Sequence, residues 1–322
     1  MLPIVTRREL LQSVGWLGVT LAAPGLASPL AGSKLIKLGV ITDLHFGFAP
    51  DAMTRFEEFL AALDREKPDA VLQLGDFCHP EEAAQPLLRQ WNSLKIPRIN
   101  VLGNHDMDKG SKEQIMEMWE MPSRFGIHDL GWLRLIVLDL NNHESGGRVT
   151  PYDKGSYFKP GQRLNLMDQV QKDWLSDALT KGDKPAIILS HQPLGFADRG
   201  GPIPSEQQEV FDILVQARAK NPKGAAPLCI SGHLHVDRAA IHQGIPCLSV
   251  NSASYHWHEG MNPYRDSLFA FIEIHPAGAV KVRGRQSQFV NEPPKSPLAG
   301  FGPDISDRRM TLWKSSGIIV SE

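Results

Sequence analysis

The chain has 322 residues, 42% of them hydrophobic, and is long enough to bury one sizeable core or two smaller ones. Its net charge of -2, from 34 basic and 36 acidic residues, argues against the basic surface patch of a nucleic-acid-binding protein. Three cysteines (Cys78, Cys229 and Cys247) are too few for a disulfide scaffold, although one bridge is possible. The 12 histidines are unusual, because many lie close to aspartates.

Residues 1–27 have the order of an export signal peptide. Arg7 and Arg8 are followed by leucines and a mildly apolar run over 14–23, and residues 25–27 form a small-x-small cleavage site. The arginine pair is similar to the twin-arginine signal of bacteria, so we expect that export machinery as a partner and a periplasmic or extracellular mature protein. The alternative is an N-terminal helix with two solvated arginines. Neither this run nor any later stretch is long enough for a stable membrane span.

Hydrophobic, β-branched runs separated by helical patterns predict an α/β domain with a parallel sheet. The predicted strands are Lys37–Thr42, Ala70–Leu74, Ile99–Leu102, Leu133–Leu140, Ala186–Ser190 and Leu228–Ser231. Helices are predicted over 83–94 and 112–119, and helical faces over 167–175 and 210–217. A further helix follows Asp51, whose side chain is expected to cap its N-terminus.

After residue 235 the pattern changes to short strands joined by turns, which suggests antiparallel pairing. These strands are Ala239–His242, Pro246–Val250, Leu268–Ile274 and Val280–Arg283. Residues 141–162 are expected to form a long loop. No repeat or linker divides the chain, so we expect one domain over 28–283 and a C-terminal tail over 284–322, packed on the domain or partly disordered.

Side chains with metal-ligating atoms follow five of the predicted strands, at the point where each strand ends. They are Asp43 and His45, then Asp76, then Asn104, His105 and Asp106, then His191, and finally His233 and His235. Ligands gather at the carboxyl ends of parallel strands, so these side chains should converge on one edge of the sheet. Nitrogen and oxygen donors without a thiolate suit Mn, Fe, Zn or Co, and their number suffices for two cations that share a carboxylate.

The ordered blocks resemble those of the calcineurin-like metallophosphoesterase superfamily over residues 37–250. They are Asp43-x-His45, Gly75-Asp76, Gly103-Asn104-His105-Asp106, His191 and Gly232-His233-x-His235. The resemblance implies a four-layer αββα sandwich, in which two mixed β-sheets pack face to face with helices outside. It also implies metal-dependent hydrolysis of small phosphate esters, by in-line attack of a hydroxide that bridges two divalent or mixed-valence ions of Mn, Fe or Zn.

The resemblance further implies a role for each residue. One metal would be held by Asp43, His45, Asp76 and His235, and the second by Asp76, Asn104, His191 and His233. His105 would be the catalytic histidine, which donates a proton to the leaving oxygen or stabilises phosphoryl charge, and Asp106 would orient its ring. Asn104 and His105 are also expected to contact the substrate, and His256 is a further candidate for that contact.

Two differences from the family motif indicate which branch of the family the sequence is closest to. Many family members have an aspartate three residues after the shared one, and this chain has His79 there. Purple acid phosphatases carry a tyrosine at that position and lack the histidine matched by His45, so the chain is closer to the branch that includes class III cyclic-nucleotide phosphodiesterases. Phosphodiesters are the favoured substrates. The alternatives are a phosphomonoesterase of the same fold and an exported metal-binding protein without turnover.

Overall fold

The computed structural model describes residues 33–156, 162–197, 202–295 and 300–313. The expected export signal, residues 1–27, lies outside the described residues. Within the described ranges, every helix is too short or too polar to cross a membrane. The three cysteines are buried, and none forms a disulfide with another.

Sixteen strands and five α-helices are described. The strands are β1 (Ile36–Ile41), β2 (Ala70–Gln73), β3 (Arg98–Asn100), β4 (Gly126–Leu130), β5 (Leu133–Val137), β6 (Asn142–Ser145), β7 (Arg148–Pro151), β8 (Ala186–Ser190), β9 (Leu228–Ser231), β10 (Arg238–His242), β11 (Ile245–Ser249), β12 (Tyr255–Trp257), β13 (Met261–Pro263), β14 (Ala270–Ile274), β15 (Ala279–Arg283) and β16 (Arg308–Thr311). The helices are α1 (Ala52–Glu66), α2 (Gln85–Ser93), α3 (Lys112–Met118), α4 (Gln169–Thr180) and α5 (Ser205–Lys220).

Two six-stranded mixed sheets form the centre of the molecule. The first has the order β16-β15-β14-β1-β2-β3 and the second the order β10-β11-β9-β8-β5-β4. Strands β1 to β3 are parallel to one another, as are β5, β8, β9 and β11, whereas the outer strands pair antiparallel. The α/β class with two mixed sheets is confirmed. The expectation of a single parallel sheet is wrong, because the ligand-bearing strands are divided between the two sheets.

Apolar side chains divide into three layers that hold these sheets and helices together. Successive residues of a strand point to opposite faces, so Ala70 and Leu72 face the second sheet while Val71 faces the helices. The helix-covered face of the first sheet packs on α1, α2 and α3, and that of the second packs on α4 and α5. Both faces of the central strands are therefore buried, which explains their nearly continuous hydrophobic sequences. The predicted αββα sandwich is confirmed.

Two segments expected to lack regular structure contain strands. Within 141–162, β6 and β7 form a hairpin whose two turn residues, Gly146 and Gly147, have φ of 58° and 74°. Tight two-residue hairpin turns need positive φ, and glycine adopts it without strain. In the tail, β16 pairs with β15 at the edge of the first sheet. Arg308 in that strand binds Asp237 through two hydrogen bonds of 2.6 and 2.7 Å, which fixes the tail at the start of β10.

Asp51 immediately precedes α1, but its side chain does not cap the helix. Its carboxylate accepts two hydrogen bonds of 2.8 Å from Arg55 instead. The buried guanidinium of Arg55 also donates to the carbonyl oxygens of Ala253 and Tyr264. The expected cap is wrong, because Asp51 serves to hold an arginine that ties α1 to the segment after β11.

Candidate metal centre

Loops that follow the parallel strands of both sheets meet at one place. Asp43 follows β1 and Asp76 follows β2 in the first sheet, while His191 and His233 follow β8 and β9 in the second. Backbone hydrogen bonds join the loops in pairs: the N–H of Asp43 donates to the carbonyl of Gly75, and that of Gly232 donates to the carbonyl of His191. The two sheets thus deliver their polar strand ends to a common site.

The ligand atoms form two adjacent groups. In each group, the atoms lie within 4.8 Å of one another; the first contains Asp43, His45 and His235, and the second contains Asp76, His191 and His233. Asp76 Oδ2 lies 3.1 Å from His191 Nε2 and 3.7 Å from His45 Nε2. The carboxylate of Asp76 therefore faces both groups, as a carboxylate shared by two cations would.

Backbone carbonyl groups fix the nitrogen that each of two histidines presents. Nδ1 of His191 lies 2.8 Å from the carbonyl oxygen of Leu74, and Nδ1 of His235 lies 2.7 Å from that of Tyr255. A carbonyl oxygen only accepts, so each Nδ1 carries a proton and Nε2 is the nitrogen that each ring turns toward the site. His45 Nε2 lies 3.0 Å from His235 Nε2, and ring nitrogens that converge in this way suit a bound cation.

Two buried oxygens provide an independent test of whether cations fit. Oδ1 of Asp43 and Oδ1 of Asn104 accept no hydrogen bond from any described residue. A buried acceptor left without a partner costs about 1–3 kcal/mol. His235 Nε2 lies 3.1 Å from Asp43 Oδ1, and a cation would occupy the place of a proton between these two atoms. Cations would complete both oxygens, so the residues present fit a pair of divalent ions.

Much of the site is built on strained backbone. The non-glycine residues with left-handed φ values between 51° and 71° include Asp43, His45, Asp76, His233 and His235. L-amino acids rarely adopt this region, and each instance costs roughly 1–3 kcal/mol. Such strain persists where the surrounding structure enforces it, and it is typical of functional sites.

Three glycines in the sequence motifs allow the loops to approach each other. A Cβ atom on Gly103 would lie 2.1 Å from the backbone nitrogen of Asp76. A Cβ on Gly75 would lie 2.5 Å from Nδ1 of His191, and one on Gly232 would lie 2.1 Å from Oγ1 of Thr42. Any larger residue would push apart the loops that carry the ligand atoms.

Burial and neighbouring charge together set the protonation of the site. Burial opposes the charge of Asp43, but His235 and His191 outweigh it and lower the pKa of Asp43 to about 2. Burial lowers the pKa of His45 and of His233 to about 3, so both rings are neutral at pH 7. The carboxylates of Asp76 and Asp43 overcome burial at His191 and raise its pKa to about 9. A cation bound by His191 would displace that proton.

His105 lies beside these groups, and its partner is Asp108 rather than Asp106. Nδ1 of His105 is 2.8 Å from Oδ2 of Asp108. Residues His105–Met107 form a 3₁₀ turn, in which side chains three apart share a face and adjacent ones point about 120° apart. The expectation that Asp106 orients His105 is therefore wrong. The three-residue spacing was the signal in the sequence that pointed to Asp108.

Asp106 is buried and binds backbone instead. Its carboxylate accepts hydrogen bonds of 2.7 to 3.1 Å from the N–H groups of four residues, Gly103, Asp76, Phe77 and Cys78. One of these residues belongs to the loop after β3 and three to the loop after β2. Asp106 thus holds these two loops together and keeps Asp76 in position.

His256 is buried beside the site, and its contact with the substrate stays a prediction. His256 is only 1% exposed, and its Nδ1–H donates to the carbonyl oxygen of His235 at 2.9 Å. The ring also packs edge-on against Phe301, with 4.6 Å between ring centroids. A buried ring held in this way supports the backbone of His235, and its Nε2 has no hydrogen-bond partner among the described residues.

Several hydroxyl groups that sequence reasoning missed position the first loop. Thr42 Oγ1 donates to Oδ2 of Asp43 at 2.6 Å. Ser252 and Ser254 donate to the carbonyl oxygens of Asp43 and Leu44 at 2.9 and 2.7 Å. The cluster of small polar residues after β11 was the available signal, since serines in a buried segment need hydrogen-bond partners.

We expect Gly103→Ala to lower the free energy of unfolding by about 2–3 kcal/mol, because the added methyl group overlaps the backbone of Asp76. Urea denaturation measures this change. Gly126→Ala is the matched control, since a Cβ there meets nothing within 4 Å, and a change of about 0.5 kcal/mol or less is expected. Equal stabilities of the two variants would contradict the close approach of the loops.

Comparison with known proteins agrees with this geometry. Residues 36–237 match the calcineurin-like phosphoesterase family. A probable cyclic nucleotide phosphodiesterase of Synechococcus sp. (strain WH7803) is 25% identical over 160 residues, which are 46% of this chain and 53% of the relative; the match thus spans about half of that protein.

Two solved structures share the fold at low sequence identity. A dimetal phosphatase from Danio rerio has a TM-score of 0.61 and 14% identity, with 86% of this chain and 99% of that chain covered. GAP50, the anchor in the inner membrane complex of Plasmodium, has a TM-score of 0.53 and 13% identity, with 89% and 90% covered. The family match extends over more than half of the sequence, and the chain therefore belongs to the calcineurin-like phosphoesterase family.

Proposed function

We propose that the protein is a metal-dependent hydrolase of small phosphate esters, with phosphodiesters as the favoured substrates. The observation that carries this proposal is the pair of adjacent ligand groups on either side of Asp76. Membership of the calcineurin-like phosphoesterase family supports the same reaction class.

Two cations would be held by the residues of the site. Asp43, His45, Asp76 and His235 bind one, and Asp76, Asn104, His191 and His233 bind the other, with Asp76 shared. Nε2 of His191 and Nε2 of His235 face the site, and Oδ1 of Asp43 and of Asn104 lack a hydrogen-bond donor among the described residues; both observations support this assignment. When bound, two divalent ions of Mn, Fe or Zn lower the pKa of water and neutralise phosphate charge.

His105 belongs to neither ligand group, so its role is to act on the substrate rather than to hold a cation. Burial disfavours its charged form, but the carboxylates of Asp76 and Asp108 outweigh burial and raise its pKa. A protonated imidazole beside the phosphate can donate a proton to the leaving oxygen and stabilise charge on the phosphoryl group. Asn104, the preceding residue, would contact the substrate from the same turn.

The preference for diesters rests on two features. His45 is present, and His79 occupies the position where purple acid phosphatases have a tyrosine. The relative from Synechococcus, itself described as a probable cyclic nucleotide phosphodiesterase, supports the same branch. The second candidate function is metal binding without turnover. The pairing of His105 with Asp108 favours an enzyme, because holding a cation does not require it.

Hydrolysis of bis-p-nitrophenyl phosphate and p-nitrophenyl phosphate with added Mn²⁺ tests the proposal. We expect the diester to be cleaved with the higher kcat/KM. His105→Ala should lower kcat by about 10²-fold or more through loss of proton transfer, with unchanged metal content.

His128→Ala is the matched control, since His128 lies in β4, away from the ligand groups, and it should keep the wild-type rate. Equal rates for the wild type and His105→Ala would contradict the role of His105. A metal-loaded wild type that cleaves neither ester would favour the binding protein.

We also propose that residues 1–27 direct export of the mature protein to the periplasm or the cell exterior. The arginine pair, the apolar run and the small-x-small site support this. Replacement of Arg7 and Arg8 by lysine should leave the precursor in the cytoplasm of a bacterium that has the twin-arginine machinery, whereas Lys34→Arg should be exported. Export of the double variant at the wild-type level would argue against this route.

A further inference from the structure

A row of polar side chains leads from His105 to the protein surface. His105 Nδ1 lies 2.8 Å from Asp108 Oδ2, and that oxygen lies 3.9 Å from Nε2 of His79. Nδ1 of His79 lies 3.7 Å from Oε2 of Glu81, which binds Lys109 at 2.8 Å. The side chains of His105 and Asp108 are 29% and 18% exposed. That of His79 is 4% exposed and that of Glu81 is 42% exposed. Of the two carboxylates in this row of side chains, Asp108 contacts the His105 ring and Glu81 contacts His79.

The ring of His105 is held from several sides. Its centroid lies 5.4 Å from that of His45 and 5.8 Å from that of Phe48, both in edge-to-face arrangements. Its backbone N–H donates to Oδ1 of Asp76 at 2.8 Å. These contacts restrict the position of the ring, and the hydrogen bond to Asp108 fixes which edge of the ring carries Nδ1.

That bond also decides which nitrogen is available for chemistry. An ionised carboxylate only accepts hydrogen bonds, so Nδ1 of His105 carries the proton that binds Asp108. Nε2 lies on the opposite edge of the imidazole, so it is the nitrogen that can donate a proton to a substrate. The 3₁₀ turn fixes this pairing, because it places residues 105 and 108 on one face.

We propose that Asp108 is a positioning residue that, by holding Nδ1 of His105, directs Nε2 to the leaving oxygen and enables the hydrolysis of esters with poor leaving groups. This inference rests on the proposed function. In the step, a bond forms between phosphorus and the oxygen of water, and the bond to the leaving oxygen breaks. The leaving oxygen takes the Nε2 proton of His105, the Nδ1 proton stays with the histidine, and the proton released by water restores Nε2–H.

The dependence on the leaving group separates this role from a purely structural one. An acidic phenol leaves as a stable anion and needs little proton transfer, whereas a weakly acidic one needs a proton as the bond breaks. Loss of Asp108 should therefore harm the second kind of ester more. A residue that only supported the fold would affect all esters equally or would change the metal content.

Methyl aryl phosphodiesters whose phenols span a range of acidity provide the test, with the Mn²⁺-loaded protein. For Asp108→Ala we expect kcat to fall about 10-fold with the most acidic phenol and roughly 10²- to 10³-fold with the least acidic, at unchanged KM. Asp108→Asn keeps a hydrogen-bond acceptor without the charge, so its kcat with each ester should lie between those of the wild type and Asp108→Ala. Glu81→Gln, the matched control, removes a nearby carboxylate that does not contact His105 and should stay within about twofold.

A double-mutant cycle with His105→Ala completes the test. Asp108→Ala should cause no further loss in that background, because the residue acts through the histidine. Equal losses across the phenol series, or independent losses in the cycle, would overturn the inference. If Asp108→Ala does not fold, Asp108→Asn provides the same comparison. A wild type inactive on every ester would refute the proposed function itself, whereas an active wild type matched by the Asp108 variants would refute this inference alone.

Discussion

Two buried carboxylates, Asp43 and Asp76, face a common point, and this repulsive arrangement is the constraint on which the rest of the structure depends. Their residues are 0% and 2% exposed. Oδ1 of Asp76 accepts a backbone N–H, Oδ2 of Asp43 accepts another together with a hydroxyl group, and histidines surround the remaining oxygens. Apolar layers on both sides of each sheet fix the strand ends, so the loops cannot relax apart. Left-handed backbone and motif glycines are the local consequences of that frame.

The loop after β3 divides its work among consecutive residues because it turns as a 3₁₀ helix. Asn104 carries a buried oxygen without a hydrogen-bond partner in the described part of the chain, His105 turns toward Asp108, and Asp106 turns inward to four backbone N–H groups. With about three residues per turn, neighbours in the sequence face different partners. A short segment can thus serve the metal groups, the proton transfer and the fold at once.

The sequence was sufficient to locate the strand ends, because buried runs of β-branched residues stop where polar motifs begin. The αββα layers followed from the family resemblance, whereas the strand pattern alone suggested one parallel sheet. The sequence did not predict the direction in which individual side chains point. Asp106 follows His105 in the chain, but its carboxylate binds backbone N–H groups and not the His105 ring. His256 is a polar residue in a polar segment, so nothing in the sequence indicated its burial. The hairpin of β6 and β7 had a readable signal in Gly146-Gly147. The pairing of β16 with β15 did not, because an edge strand of four residues has little hydrophobic pattern of its own.

Anomalous diffraction from crystals grown with Mn²⁺ tests the central claim most directly. The account predicts two manganese peaks about 3.5–4 Å apart, with the carboxylate of Asp76 between them. One peak should lie beside Asp43, His45 and His235, and the other beside Asn104, His191 and His233. A single peak, or two peaks that do not share Asp76, would contradict the account.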